Sequence, residues 1–271
     1  MNNFTTSDNI KIAYYIDDAT KPWIKPDTIL LLHPAMGSAR RYFAWISKLS
    51  VHYRVLRMDM RGHGASDVPS PDKELSMARL MRDVIELLDQ IGCKSVHAVG
   101  TSAGGYIAQN LALNHPEYIK SLMLFSSTPG LRNSKWPQWL PYVAKIGLRK
   151  WLSENLEGRL PVKQLDPLHI EWFLDEADKL DLGFGGRLVT LMSSLDWSDR
   201  LHEISCPTFI ARPGAAGIGN ECDYDVMQER IPGVQMVDYH GLPHHLTDAV
   251  PDRCVSDVLA FLRWRFEAPD A

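Results

Sequence analysis

The sequence predicts an α/β protein, a mostly parallel central sheet flanked by helices, with a helical cap inserted into it. Three observations carry that expectation. The first half alternates short β-branched runs with amphipathic helical segments, the pattern of parallel strands covered on both faces. Residues 128–197 break the alternation with Trp136, Trp139, Trp151, Trp172, Trp197, several prolines and no convincing strand. Strand character then returns at 208–211 and 234–239, and an amphipathic helix at about 252–265 closes the chain.

Taken in order, the apolar runs at 10–16, 28–32, 54–60 and 96–99 read as strands, and 76–91 reads as a helix from its three-to-four apolar spacing. A further strand is expected at 121–127. The division that follows is core over 1–127, cap over 128–197 and core again over 198–271, without internal repeats. A chain of 271 residues can bury a substantial core. Its net charge of −4 gives no general attraction to nucleic acid or to an anionic membrane, so neither is expected as a partner and a small-molecule substrate is. The start of the chain lacks a basic stretch followed by an apolar core, and no run approaches membrane-spanning length, so a soluble, cytoplasmic protein is expected. Cys93, Cys206, Cys222 and Cys254 are scattered, with no Cys-Xaa-Xaa-Cys pair and no metal-ligand spacing. Neither a metal nor a disulfide framework nor any cofactor is expected, and the oligomeric state is left open, a homodimer included.

Gly100-Thr101-Ser102-Ala103-Gly104 is the segment richest in chemistry. A strand-like run enters it and a helix-like run leaves it, so Ser102 is expected at a sharp strand-to-helix corner with its hydroxyl presented to a cleft. The helix N-terminus beyond it would favour a developing oxyanion. Leu31-Leu32-His33-Pro34-Ala35-Met36-Gly37 and Asp59-Met60-Arg61-Gly62-His63-Gly64-Ala65-Ser66-Asp67 complete the set.

In this order of elbow serine, helical insertion and late histidine, the chain resembles the α/β-hydrolase fold superfamily over essentially its whole length. The His33 segment looks like the family's oxyanion turn, and the Arg-Gly-His-Gly loop looks most like that of 3-oxoadipate enol-lactonases and related carboxylic-ester hydrolases. The resemblance implies Ser102 as nucleophile and His244, in Gly241-Leu242-Pro243-His244, as general base. His245 is not distinguished from it by sequence, whereas His240 reads as structural or at the pocket rim. Amides of Ala103 and of Ala35 or Met36 are expected to hold the oxyanion, Pro34 having no N–H.

The acid breaks the pattern. The family's aspartate position falls on Ala216, and the end of the preceding strand reads Phe125-Ser126-Ser127. Glu221, Asp223 and Asp225 remain, with Glu221 favoured and either aspartate able instead to N-cap a helix. A serine–histidine pair without an acid also fits. Asp59, Arg61, His63 and Asp67 are read as fixing a loop beneath the site. Trp136, Trp139, Tyr142 and Trp151 are expected to roof the cleft. Of the basic residues around them (Arg132, Lys135, Lys145, Arg149, Lys150, Arg159, Lys163) most read as a solvated face, while one pointing inward could hold a substrate carboxylate. The expected function is hydrolysis of a small carboxylic ester or lactone through an acyl-enzyme. The alternatives are a lyase or cofactor-free oxygenase using His244 as base, an amide or carbon–carbon bond hydrolase, and a non-catalytic receptor.

Overall fold

The computed structural model describes residues 1–131, 134, 136–214 and 221–266, the side chain of Glu221 lying outside that description. Eight strands form its centre: β1 (Asn2–Thr5), β2 (Lys11–Asp17), β3 (Thr28–Leu32), β4 (Arg54–Met58), β5 (Val96–Thr101), β6 (Ile119–Phe125), β7 (Thr208–Gly214) and β8 (Gln235–His240). They make one sheet in the order β1-β2-β4-β3-β5-β6-β7-β8. The pairs from β4 through β8 are parallel, and β1 and β2 join antiparallel at one edge. Strand β1 escapes the sequence pattern because only Phe4 of its four residues is buried, so it carries no apolar alternation.

Helices α1 (Phe43–Leu49), α2 (Met77–Gln90) and α3 (Ala103–Asn114) connect the first strands, and α4 (Trp136–Ile146), α5 (Leu148–Glu154), α6 (Pro167–Asp178) and α7 (Leu182–Ser193) stand between β6 and β7. After β7 come α8 (Glu221–Arg230), α9 (Leu246–Ala249) and α10 (Pro251–Phe266). The side chains of β3 show why its sequence is apolar throughout. Leu30 and Leu32 enter the layer under α2 and α3, while Ile29 and Leu31 enter the layer under α1 and α10. Helix α2 begins where the Ser76 hydroxyl accepts the Arg79 N–H. Because α8 already begins at Glu221, Asp223 and Asp225 lie inside it and neither is its N-cap.

The segment between β6 and β7 has an apolar core of its own, built from Val143, Leu148, Trp151, Leu152, Leu160 and Phe173 with their neighbours. Its neck is closed by a bridge between Gly130 and Asp196, and the Leu131 N–H donates to the Leu195 carbonyl. Polar and apolar contacts both seat it on the rest of the molecule. Glu176 accepts from Ser38 Oγ and Arg40 Nη1. The Phe184 ring fills the space over Gly62, whose φ of +75° and contact with that ring leave no room for a β-carbon. Among the described residues no helix is long and apolar enough to cross a membrane.

Candidate active site

Ser102 sits between the last residue of β5 and the first of α3 with φ 50° and ψ −117°, a strained conformation for any residue with a side chain. The close packing of α3 on β3 makes the corner possible. A β-carbon on Gly104 would stand 2.2 Å from the Leu32 carbonyl oxygen, so the helix can approach the strand only with glycine there. The corner is braced by two hydrogen bonds: the Ser102 N–H donates to the Phe125 carbonyl at 3.0 Å, and the Ser127 hydroxyl donates to the Ser102 carbonyl at 3.0 Å.

Across from the corner, the turn after β3 is held by His33. Its Nδ1–H donates to the Pro34 carbonyl at 2.8 Å and its Nε2 accepts the Met60 N–H at 3.0 Å, which fixes one neutral tautomer. Burial pushes its pKa down to about 4. Met36 takes a left-handed φ of 58° in this turn. Ala35, Met36, Ser102, Ala103, His244 and His245 all line one cavity, in which about 50 Å³ is open, room for a few water molecules.

The two histidines occupy the loop between β8 and α9, both buried, with ring centroids 5.1 Å apart. Among the described residues neither Nδ1 has a hydrogen-bond partner. His245 Nδ1 stands 4.0 Å from Asp248, but that carboxylate is taken by Arg41, whose Nε and Nη2 donate to it at 2.5 and 2.8 Å. Burial, then the positive charges of Arg159 and Arg41, push His244 down to about 3. His245 is pushed the same way by burial, Arg41, His244 and Arg159. His240 is exposed at the end of β8, away from this cavity.

Of the acids considered, Asp225 is exposed and bonds Arg212. Asp223 is buried, and its charge acts on Tyr106 and Tyr224. Glu221 opens α8, but its side chain lies outside the described residues, as does Ala216. At the end of β6, Ser126 is buried, and among the described residues its Oγ has no hydrogen-bond partner.

The expected aromatic roof divides. Trp136 lines the cavity beside Ser102. Trp139, 47% exposed, lines an adjoining pocket of about 310 Å³, which shares Met36, Trp136 and Val189 with the first. Tyr142 and Trp151 line neither. Tyr142 points to solvent and donates to Glu154, and Trp151 is buried in the cap's own core, its ring 5.0 Å from that of Trp136. Helical spacing was the signal for this division, since 136, 140 and 143 fall on one stripe of α4 and 142 does not. Leu188, Val189 and Met192 of α7, which the sequence reading did not single out, complete the roof.

Arg132 and Lys135 lie outside the described residues; among the described basic residues of the cap, Arg159 turns inward. It lines the same cavity, is 4% exposed, and lies over the rings of Trp136 and Trp151 at 5.1 and 4.9 Å. Its carbonyl accepts the His245 N–H at 2.9 Å, which ties it to the histidine loop. Burial and Arg41 bring its pKa down to about 10, so it remains a cation at neutral pH. Lys145, Arg149 and Lys150, by contrast, are on the surface or paired there with Glu171, Asp175 and Glu154.

The 59–67 segment is held by structural bonds. Asp59 accepts the N–H groups of Ala39 and Ala65. Arg61 is enclosed by Asp83 and Asp8, His63 Nδ1–H donates to the Arg61 carbonyl, and Asp67 accepts the Lys11 N–H.

Residues 27–161 match the family model for the alpha/beta hydrolase fold. The crystal structure of a hydrolase from Pseudomonas aeruginosa superposes with a TM-score of 0.87 at 26% identity, covering 96% of this chain and 97% of that one. A pimeloyl-(acyl-carrier protein) methyl ester esterase from Aeromonas hydrophila is 25% identical over 229 residues, 78% of this chain and 85% of the relative. A Bacillus subtilis protein provisionally named 2-succinyl-6-hydroxy-2,4-cyclohexadiene-1-carboxylate synthase is 30% identical over 130 residues, 48% of this chain, and the match spans only 46% of that relative's length.

Proposed function

The chain belongs to the α/β-hydrolase fold superfamily, and we propose that it hydrolyses a small carboxylic ester or lactone without a cofactor. The observation that carries this reading is the convergence of Ser102 and His244 on one cavity with Ala103, Ala35 and Met36. Ser102 Oγ attacks the carbonyl carbon as His244 takes its proton. The tetrahedral oxyanion rests on the N–H of Ala103 and on that of Ala35 or Met36, amides whose dipoles are in place before the charge develops. His244 then protonates the leaving alkoxide, and water activated by the same imidazole releases the acyl group. Glu221, at the head of α8, is proposed to orient the imidazole. Trp136 and the apolar pocket beside it favour an acyl or alcohol portion that is apolar. The Aeromonas relative, named for a methyl ester, supports the ester reading.

The test is the mass of the intact protein after incubation with a fluorophosphonate. One adduct is expected, absent from Ser102→Ala and formed at least 100-fold more slowly by His244→Ala. A second reading, in which His244 acts as a base on an organic substrate with no acyl-serine, is favoured by the Nδ1 of His244 having no partner among the described residues. Failure of the wild type to label, beside a serine hydrolase that does, would replace the first reading with the second.

A further inference from the structure

We propose that Arg159 is the anion-binding residue of this cavity. The substrate then carries a carboxylate, and its charge, seated on Arg159, completes the electrostatics of the histidine pair. This rests on the hydrolase reading above and narrows its substrate class. The observation behind it is a guanidinium buried without a counter-ion. Among the described residues no carboxylate or carbonyl bonds the Arg159 side chain, and its Nε has no partner at all. Arg41, the other buried cation nearby, has its charge paired with Asp248, although among the described residues its Nη1 also has no hydrogen-bond partner. A buried charge without a partner is costly, and proteins keep one where a ligand supplies the partner. The two indole faces against Arg159 hold the side chain in place and offer no hydrogen-bond acceptor.

The groups facing His244 make the anion matter for chemistry. The positive charges acting on it are those of Arg159 and Arg41, and Asp248 already offsets Arg41. The remaining uncompensated charge is that of Arg159, which disfavours the imidazolium formed when Ser102 gives up its proton. A carboxylate on Arg159 removes that penalty at the moment of binding, so an anionic substrate raises the basicity of the histidine that attacks on its behalf. With about 50 Å³ open around Ser102, the carboxylate and the reacting carbonyl lie close together in the substrate. The apolar remainder passes Met36, Trp136 and Val189 into the larger pocket.

The experiment compares monomethyl succinate, glutarate and adipate with their dimethyl esters, on wild type, Arg159→Gln and Arg159→Lys. Wild type is expected to prefer at least one monoester over its neutral diester by tenfold or more in kcat/KM. Arg159→Gln should abolish the preference, and Arg159→Lys should keep part of it, in case the glutamine variant fails to fold. Equal use of mono- and diesters by wild type, together with normal fluorophosphonate labelling, overturns the anion site and leaves the hydrolase reading standing. If wild type neither labels nor turns over any ester, the site is read by binding of monomethyl glutarate to Ser102→Ala, followed by tryptophan fluorescence. Binding that Arg159→Gln, introduced into the same protein, removes keeps the anion site and rejects the hydrolase reading; no binding rejects both.

Discussion

A histidine that takes a proton from serine has to be neutral at rest, and His244 meets that condition with a wide margin. Burial and two nearby guanidinium groups hold its pKa near 3, where an unperturbed imidazole would titrate at about 6.5. Because kcat/KM reports the free enzyme, it is expected to stay flat between pH 7.5 and 5.5 for the best ester substrate, where an ordinary imidazole base would lose about tenfold. A limb near pH 6.5 in a kcat/KM profile would show that His244 is not the base or not in this environment. His244 could not be told from His245 by sequence, but the meeting of Ser102 with these late histidines at one cavity was legible, because each follows a strand end. Arg159 was not, because the cap has seven basic residues over 132–163 and only tertiary packing decides which of them loses its water. The orienting acid was ambiguous in the sequence for a different reason: the family's position holds Ala216, followed by a glycine-rich run that fixes no geometry.

The elbow is an element-level device, since neither β5 nor α3 alone would put a serine at φ 50°. It works because α3 packs so closely on β3 that one glycine, Gly104, meets the Leu32 carbonyl. Gly104→Ala is therefore expected to cost at least about 3 kcal/mol in urea unfolding, since strand backbone cannot give way as a flexible side chain can. Gly92→Ala is the control. It sits at φ +65° with nothing within 4 Å, so only the left-handed conformation is penalised, at about 1 kcal/mol. A loss at 104 no larger than that at 92 would mean that contact with β3 does not set the requirement at 104, since Gly104 lies within α3 and is not left-handed. The inner parallel strands β3, β4, β5 and β6 were readable because they are buried on both faces, which demands nearly unbroken apolar runs. The polar edge strand β1 left no such trace. Within the cap, aromatic residues were visible but their direction was not, and the stripe on α4 separates Trp136 from Tyr142.

At the scale of the whole molecule the net charge of −4 conceals an interior in which histidines are stored neutral. Burial lowers His33 to about 4 and His63 to about 3, and it lowers His97, His244 and His245 as well. A group with a folded pKa below its unfolded value binds more protons in the unfolded chain. Its contribution is therefore complete above about pH 6.5 and is lost as pH falls toward the folded value. Each fully buried histidine contributes at most about 1.4 kcal/mol per pH unit in that window, so unfolding in urea is expected at steadily lower concentration from pH 6.5 to 4.5. A midpoint that stays constant over that interval would show that these rings are not held neutral by burial. Two of them lie on the seam between cap and core, His63 against Phe184 and His245 against Phe173. Release of the cap exposes both rings, which then bind protons at the ordinary imidazole pKa of about 6.5, so falling pH favours release while His244 in the closed site stays neutral. Loss of activity below about pH 5 is thus expected to follow the change in tryptophan fluorescence and to recover on neutralisation, with the cap's release rather than protonation of the base as its cause.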